Sequence, residues 1–255
     1  MRTRLPDESK TRLVKYGVKD MPGLTLLVHV YYPGSWALIR EKCAFVIEKA
    51  SRIIISACHD DVISEIGLSD KTTILKVTNK GKDIGGKLAS MSYYTRFCSK
   101  TDYIIFLHDK ISPQSINAGY WLEQLYSIFG EELFTKAIRR LGRHRKTGII
   151  GAKMFLKNEY IRSAKAFGTT NDSILRGLIE EYGLSCKKYD FIAGTIFIAR
   201  SGIFERFFSA HSALDAREKL ETGNVLDLTE GTYTHSWERI LCFIAEDQGY
   251  VVKGI

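Results

Sequence analysis

Residues 79–110 read NKGKDIGGKLASMSYYTRFCSKTDYIIFLHDK: a glycine-rich loop, a helical stretch and an apolar strand, in that order. The strand ends in the polar cluster His108-Asp109-Lys110, and such a cluster at the tip of a buried strand is unfavourable unless it faces a cleft. The glycines of residues 79–86 let the backbone turn tightly and approach a ligand, and Lys80 and Lys82 add positive charge beside it. By itself the loop fits a plain glycine-rich turn equally well. Together with the strand tip, it predicts a binding edge for a phosphorylated ligand.

Apolar runs alternate with helical patterns on both sides of this stretch, which is typical of an α/β domain with a largely parallel sheet. We predict strands at residues 24–32, 52–57, 73–77, 102–107, 147–154 and 191–199. We predict helices at 36–50, 60–66, 87–98, 215–221 and about 232–248, and one or two helices at 121–140. No internal repeat or linker divides the chain. The sequence therefore predicts a single Rossmann-like domain over residues 1–255, with residues 1–22 as an N-terminal extension. In such sheets ligands bind at the carboxyl ends of the strands.

The composition limits the classes of partner. The chain of 255 residues has 37 Lys and Arg against 29 Asp and Glu, a formal net charge of +8, which favours anionic partners. The densest basic run, residues 139–146, fits a solvated helix end, with contact to an anionic membrane surface as the alternative. No nucleic-acid recognition module is recognisable, so nucleic acid is not an expected partner.

Other patterns exclude further classes. No apolar stretch reaches the ~20 residues of a membrane span, and residues 1–8 have no apolar core of a secretory signal, so we expect a cytoplasmic protein. The five scattered cysteines form no CxxC pair, which argues against a disulfide framework or a zinc site. Neither a GxGxxG after the first strand nor a Walker-type loop is present, so NAD enzymes and P-loop ATPases fit poorly.

Five blocks carry a family resemblance. The stretch 79–110 resembles the part of GT-A glycosyltransferases in which an Asn-x-Gly loop and a helix precede a strand ending in a DxD motif. More specifically, the chain resembles the rhamnan synthesis protein F family, whose blocks it shows in family order: VHVYYP (28–33), NKGKDIG (79–85), LHDKIS (107–112), AGTIFIAR (193–200) and EGTYTHSWERI (230–240). The resemblance covers roughly residues 24–255. It implies transfer of a sugar, often rhamnose from a dTDP-activated donor, to a cell-surface polysaccharide or a lipid-linked glycan.

The strand tip departs from the usual DxD motif. Where two carboxylates would hold Mn²⁺ or Mg²⁺, this chain has His108-Asp109-Lys110. A protonated lysine binds no metal ion, but it can neutralise a donor diphosphate itself. We therefore expect metal-independent catalysis. The alternative is that His108 and Asp109, joined by His235, hold a divalent ion.

The residues expected to bind the donor lie at the strand ends and in the glycine loop. Tyr31 and Tyr32 can stack on the donor base, although a role as core aromatics is equally consistent with their position. The resemblance further suggests Gly194 and Thr195 for the acceptor pocket. The full donor set is Tyr31, Tyr32, Asn79, Lys80, Gly81, Asp83, Gly85, His108 and Asp109.

The C-terminal block is the second candidate region. Glu230 precedes the last predicted helix, where the helix dipole favours a carboxylate, and we expect it to deprotonate the acceptor in an inverting transfer. Lys110, with Lys80, would stabilise the leaving diphosphate. His235 and Glu238 share one helix face and can contact the diphosphate or the acceptor, although Glu238 and Arg239 also fit a structural ion pair.

Two alternatives stay open from the sequence. Because the DxD motif is missing, a non-catalytic nucleotide-sugar or glycan-binding module competes with an enzyme. The chain also ends just after its last predicted helix, which fits a domain taken from a longer multi-enzyme protein.

Overall fold

A computed structural model describes residues 23–67, 69–110 and 118–255 of the chain. Their centre is a seven-stranded sheet in the order β11-β5-β10-β4-β1-β2-β3. These strands are β1 (Leu24–Val30), β2 (Arg52–Ala57), β3 (Thr72–Lys76), β4 (Tyr103–His108), β5 (Thr147–Gly151), β10 (Phe197–Arg200) and β11 (Val251–Gly254). Two short pairs lie outside it, β6 (Leu156–Asn158) with β9 (Asp190–Ile192) and β7 (Tyr160–Ile161) with β8 (Ala166–Phe167).

Helices connect and cover these strands. They are α1 (Ser35–Lys42), α2 (Ala44–Lys49), α3 (Asp60–Glu65), α4 (Lys82–Phe97), α5 (Ala118–Tyr126), α6 (Glu131–Arg143), α7 (Asp172–Glu181), α8 (Ser201–Ala210), α9 (Ala213–Glu218) and α10 (Tyr233–Asp247). In the described ranges no helix is long and apolar enough to cross a membrane.

The pairing confirms a mostly parallel α/β sheet. β4, β1, β2 and β3 run parallel, and β11 is parallel to β5, whereas β10 is antiparallel to both of its neighbours. All seven residues of β1 are buried, as expected for a strand covered on both faces by helices. The prediction lacked β11, a strand too short and too mixed in composition to stand out.

The predicted strand at 191–199 is wrong. Two strands occupy this stretch, β9 and β10, and they belong to different sheets. Between them Gly194 and Thr195 take left-handed backbone angles, with φ of 80° and 48°. An apolar run can conceal such a turn, because hydrophobicity reports burial and not backbone direction.

The helix predicted at 87–98 begins five residues earlier, at Lys82. Gly85 and Gly86 are therefore helical instead of part of an open loop. They are small for a packing reason: a Cβ on Gly86 would lie 2.1 Å from Nδ1 of His29, and one on Gly85 would lie 1.7 Å from the carbonyl oxygen of Lys80. The glycines thus let α4 approach the sheet and its own preceding loop.

Candidate functional site

The strand ends that the sequence indicated meet at one edge of the sheet. β4 and β2 flank β1 in parallel register, and His29 of β1 pairs with His108 of β4 on one side and Ser56 of β2 on the other. The segments that follow these strands therefore lie side by side. This edge is where ligands bind in open α/β sheets.

Asp109 ties two of these segments together. Its Oδ2 accepts hydrogen bonds from the backbone N–H groups of Tyr31 and Tyr32, both at 2.8 Å. The residue is buried, and burial raises the pKa of its carboxyl group, against the effect of the two hydrogen bonds. Asp109 thus holds the end of β1 against the end of β4.

Beneath the edge lies a buried polar cluster centred on Lys87 of α4, whose side chain is fully buried. Its Nζ lies 2.9 Å from Oδ2 of Asp83, 2.9 Å from Nδ1 of His108, and 2.5 Å and 3.1 Å from Oγ1 and the carbonyl oxygen of Thr195. The cluster joins α4, β4 and the turn before β10. It therefore couples the predicted donor side to the predicted acceptor turn.

Burial and the neighbouring charges act in opposite directions on the pKa values of this cluster. Burial lowers the pKa of Lys87 from its ordinary value, while the Asp83 carboxylate opposes that change. Burial by itself would raise the pKa of Asp83, but the positive groups facing it outweigh burial and hold that pKa below its ordinary range. Burial also lowers the pKa of His108 well below its ordinary value. The Lys87–Asp83 ion pair therefore lies beside the imidazole of His108.

Two lysines, Lys82 and Lys110, lie at this edge of the sheet. Lys110 is exposed, directly after Asp109, and Lys82 is half-buried at the start of α4. Burial lowers the pKa of Lys82 and the charge of Lys110 lowers it further, while the carboxylates of Asp83, Asp227 and Glu221 oppose this change. Lys80, the lysine expected at the diphosphate, instead pairs with Glu218 at 3.3 Å.

The glycine loop is held by α9 and the segment that follows it. The backbone of Lys80 bridges that of Thr222, and Arg217 donates to the carbonyl oxygens of Gly85 and Thr78. A Cβ on Gly81, whose φ is 73°, would lie 2.1 Å from Cδ1 of Leu220. One side of the loop therefore packs on the protein.

The aromatic residues after β1 pack on each other. The rings of Tyr31 and Tyr32 are 5.0 Å apart and edge-on, and Tyr31 also meets the ring of His59 at 4.9 Å. Asn79 donates to the hydroxyl of Tyr31 at 3.3 Å. Both tyrosines are half-buried, so each keeps an accessible face at the edge.

The start of α10 lies near Lys82. Thr232 caps the helix by accepting from the backbone N–H of His235 at 3.1 Å, and its Oγ1 lies 2.6 Å from Nδ1 of the same histidine. Oδ1 of Asp227 lies 3.8 Å from Nδ1 of His235. Burial lowers the pKa of His235, the Asp227 carboxylate opposes this, and the charge of Lys82 adds to it, which places the imidazole near Lys82.

The expected base, Glu230, is exposed in the segment before the capping residue Thr232. A different carboxylate occupies the N-terminus of α10. Glu221 accepts from the backbone N–H groups of Tyr233 and Thr234, at 2.6 Å and 3.0 Å. The helix dipole therefore acts on Glu221, which a sequence pattern could not assign because eleven residues separate it from the helix.

Glu238 supports the acceptor turn. One of its carboxylate oxygens accepts from the backbone N–H of Gly194, and the other pairs with Arg239 at 2.8 Å. Arg239 also pairs with Glu159 at 2.8 Å and stacks over the ring of Phe191. The predicted ion pair is thus present, and the same glutamate holds the turn at Gly194.

The residues at the strand tip are poorly suited to a divalent metal ion. Nδ1 of His108 faces Lys87, Oδ2 of Asp109 is engaged by two N–H groups, and Lys110 adds a positive charge. Across the described part of the chain, no three His, Cys, Asp or Glu side chains are grouped so that they could hold a metal ion. His235 hydrogen-bonds to Thr232 and lies near Asp227, and among the described residues it has no hydrogen bond to His108 or Asp109.

Three residues of the site were not functional candidates in the sequence: Lys87, Glu221 and Asp227. Lys87 lies on α4, on a segment that the sequence did indicate. Asp227 lies in a loop with no recognisable pattern, and hydrogen bonds from Asn171 and Thr170, both at 2.7 Å, hold it near His235. The basic run 139–146 leads into the start of β5, at the edge of the sheet opposite the site.

Comparison with known proteins adds one finding. A family model described as rhamnan synthesis protein F matches residues 12–250, a span that contains every site residue named above. A comparison with curated proteins finds no match.

Proposed function

The chain belongs to the rhamnan synthesis protein F family, and from this premise we propose that it is a GT-A type glycosyltransferase. The proposed reaction transfers rhamnose from dTDP-rhamnose to a cell-surface polysaccharide or a lipid-linked glycan, with inversion at the anomeric carbon. The proposed place of action is the cytoplasmic side of the membrane, where such an acceptor is accessible.

One observation supports this proposal: Lys82 at the start of α4 and Lys110 directly after β4 are close enough for their charges to interact, and neither forms an ion pair with a described carboxylate, although Asp83, Asp227 and Glu221 act on Lys82 from farther away. Two neighbouring lysines repel each other, so an anion placed between them is favoured. A nucleoside diphosphate supplies that charge. Because negative charge builds up on the diphosphate as the sugar leaves, the same cations favour the transition state.

The acceptor side of the proposed site is the start of α10 with the turn at Gly194. His235 is half-buried, close to Lys82, and has Asp227 beside its Nδ1. A neutral imidazole whose Nδ1 is held by the Thr232 hydroxyl at 2.6 Å, with a carboxylate 3.8 Å away, is suited to remove a proton from an acceptor hydroxyl. We infer that His235 is the general base, and Glu230 remains the second candidate.

The test measures binding and turnover of nucleotide sugars by the purified chain. Thermal unfolding is followed with dTDP, UDP, GDP and their sugars, and release of nucleoside diphosphate is followed by chromatography. A ligand at about a hundred times its Kd stabilises the fold by about 2.7 kcal/mol. Lys82→Ala and Lys110→Ala should each weaken binding about ten- to a hundredfold, since each removes a charge-assisted contact.

Lys136→Ala is the matched control, because Lys136 is an exposed lysine of α6. It should bind the nucleotide like the unaltered chain. If no nucleotide or nucleotide sugar binds, the proposed function is wrong. Binding without any release of diphosphate, with a glycan acceptor present, would support the non-catalytic binding module instead.

A further inference from the structure

The buried lysine of α4 has a chemical consequence for the histidine that ends β4. Lys87 has no exposed surface, and its Nζ reaches Nδ1 of His108 at 2.9 Å while pairing with Asp83 at 2.9 Å. The sequence gives Lys87 no evident role, since lysines on helices are usually exposed. A role of Lys87 in the site would account for its burial.

The protons of this contact can be counted. A lysine ammonium group has three donors and no acceptor, so Nδ1 of His108 must accept. The three nearest acceptors, Oγ1 of Thr195 at 2.5 Å, Oδ2 of Asp83 at 2.9 Å and Nδ1 of His108 at 2.9 Å, take the three N–H bonds of Lys87, and the Thr195 carbonyl oxygen is more distant at 3.1 Å. Oδ2 of Asp83 also lies 3.5 Å from Nδ1 of His108, farther away than Nζ of Lys87. A neutral imidazole carries one proton. With Nδ1 accepting, that proton is on Nε2.

The neutral form is the expected one, because burial lowers the pKa of His108 well below its ordinary value. In this tautomer Nε2 is a donor and has no lone pair for a metal ion. No described residue accepts a hydrogen bond from Nε2. His108 ends β4 two residues before Lys110, at the edge where the proposed diphosphate lies.

We propose that Lys87 is a positioning residue: by donating to Nδ1 it fixes the proton of His108 on Nε2, which makes His108 a hydrogen-bond donor to the diphosphate instead of a metal ligand. This inference rests on the proposed function, since it needs a nucleoside diphosphate at the site. In this proposal a buried ion pair determines which group of His108, a hydrogen-bond donor or a metal ligand, is presented at the end of β4.

The first measurement reads the tautomer directly in the unaltered chain. Labelling of the histidines with ¹⁵N and long-range ¹H–¹⁵N correlation spectra distinguish the two ring nitrogens, and the spectrum of His108→Gln identifies the signals of His108. We expect a protonated Nε2 and an unprotonated Nδ1 at pH 7. A protonated Nδ1, in the neutral or the charged ring, would overturn the proposal.

The second measurement is dTDP binding in variants. His108→Phe should weaken binding at least about tenfold, whereas His108→Gln, which keeps an N–H donor, should remain within about threefold. Lys87→Met leaves Asp83 buried without its partner and is prone to unfold, so Lys87→Met is combined with Asp83→Asn. The double variant should lose the Nε2 tautomer signal and bind dTDP about tenfold more weakly.

The third measurement tests whether Mn²⁺ changes the affinity for dTDP. The affinity of the unaltered chain for dTDP should be the same in EDTA and in Mn²⁺ within about twofold, and a Mn²⁺-dependent gain above about tenfold would contradict the proposal. If dTDP, UDP and GDP all fail to bind, the proposed function fails while the tautomer is still measured. If a nucleotide binds and the tautomer is the opposite one, only this inference fails.

Discussion

His29 should make the stability of the fold depend on pH between 4 and 7. Its ring lies near the carboxyl end of β1 under Gly86, 2% exposed, with Nδ1 3.0 Å from Oγ of Ser56. That hydroxyl donates to the carbonyl oxygen of Val28, so Nδ1 is the donor to Ser56. Nε2 is buried and has no partner among the described residues. A second proton on this ring would be buried without an acceptor.

Burial is the main cause that lowers the pKa of His29 from 6.5 to about 4, with the Asp83 charge opposing it. Between these values the unfolded chain binds a proton that the folded chain does not. The contribution to stability is therefore complete above pH 6.5 and is lost as the pH falls to about 4. The pKa difference corresponds to about 3 kcal/mol, since one unit is worth about 1.4 kcal/mol.

The assay is urea unfolding followed by far-UV circular dichroism at pH 7, 6, 5 and 4 and constant ionic strength. His29→Leu removes the titrating ring and keeps an apolar side chain. At pH 7 its free energy of unfolding should stay within about 1 kcal/mol of the unaltered chain, because one hydrogen bond to Ser56 is lost. From pH 7 to 4 the unaltered chain should lose about 3 kcal/mol more than the variant.

The comparison with a variant is needed because burial lowers the pKa of His108 and His235 too, and both act in the same direction. Those contributions are common to both chains and cancel in the difference. His144→Leu, at an exposed position after α6, should lose as much stability as the unaltered chain. Equal losses in the unaltered chain and in His29→Leu would refute the reasoning.

Two further predictions concern the loop and the general base. A Cβ on Gly85 would lie 1.7 Å from the carbonyl oxygen of Lys80, so Gly85→Ala should lower the free energy of unfolding by about 3 kcal/mol. Gly142 has open space around it, so Gly142→Ala should leave the free energy of unfolding equal or raise it by up to about 1 kcal/mol. Urea unfolding measures both changes. If His235 removes the acceptor proton, His235→Gln should lower kcat about a hundredfold or more and Glu230→Gln should change it less than about threefold; the reverse order, measured by diphosphate release, would make Glu230 the base.

Much of the fold was predictable because local sequence reports burial and periodicity directly. The buried strands β1, β2 and β4 were predicted nearly to their observed bounds, and the polar tip after β4 indicated the binding edge. The stretch 191–199 was not, because its turn at Gly194 and Thr195 interrupts an apolar run without changing its hydrophobicity. The direction of β10 and the pairing of β11 depend on contacts distant in sequence.

For the candidate site, too, some features follow from the local sequence and others only from the tertiary structure. The sequence by itself determined the fold class, the family blocks and the residue types at the strand ends, because these follow from patterns between near neighbours in the chain. Only the tertiary structure decided what each charge faces: Lys80 is paired with Glu218, Lys82 lies near Lys110, and Lys87 is buried against His108. The strength of a charge and the protonation of a ring depend on solvent exclusion and on partners within a few ångströms. Those partners are up to 138 positions apart in the chain, as Lys80 and Glu218 are, so no local pattern could specify them.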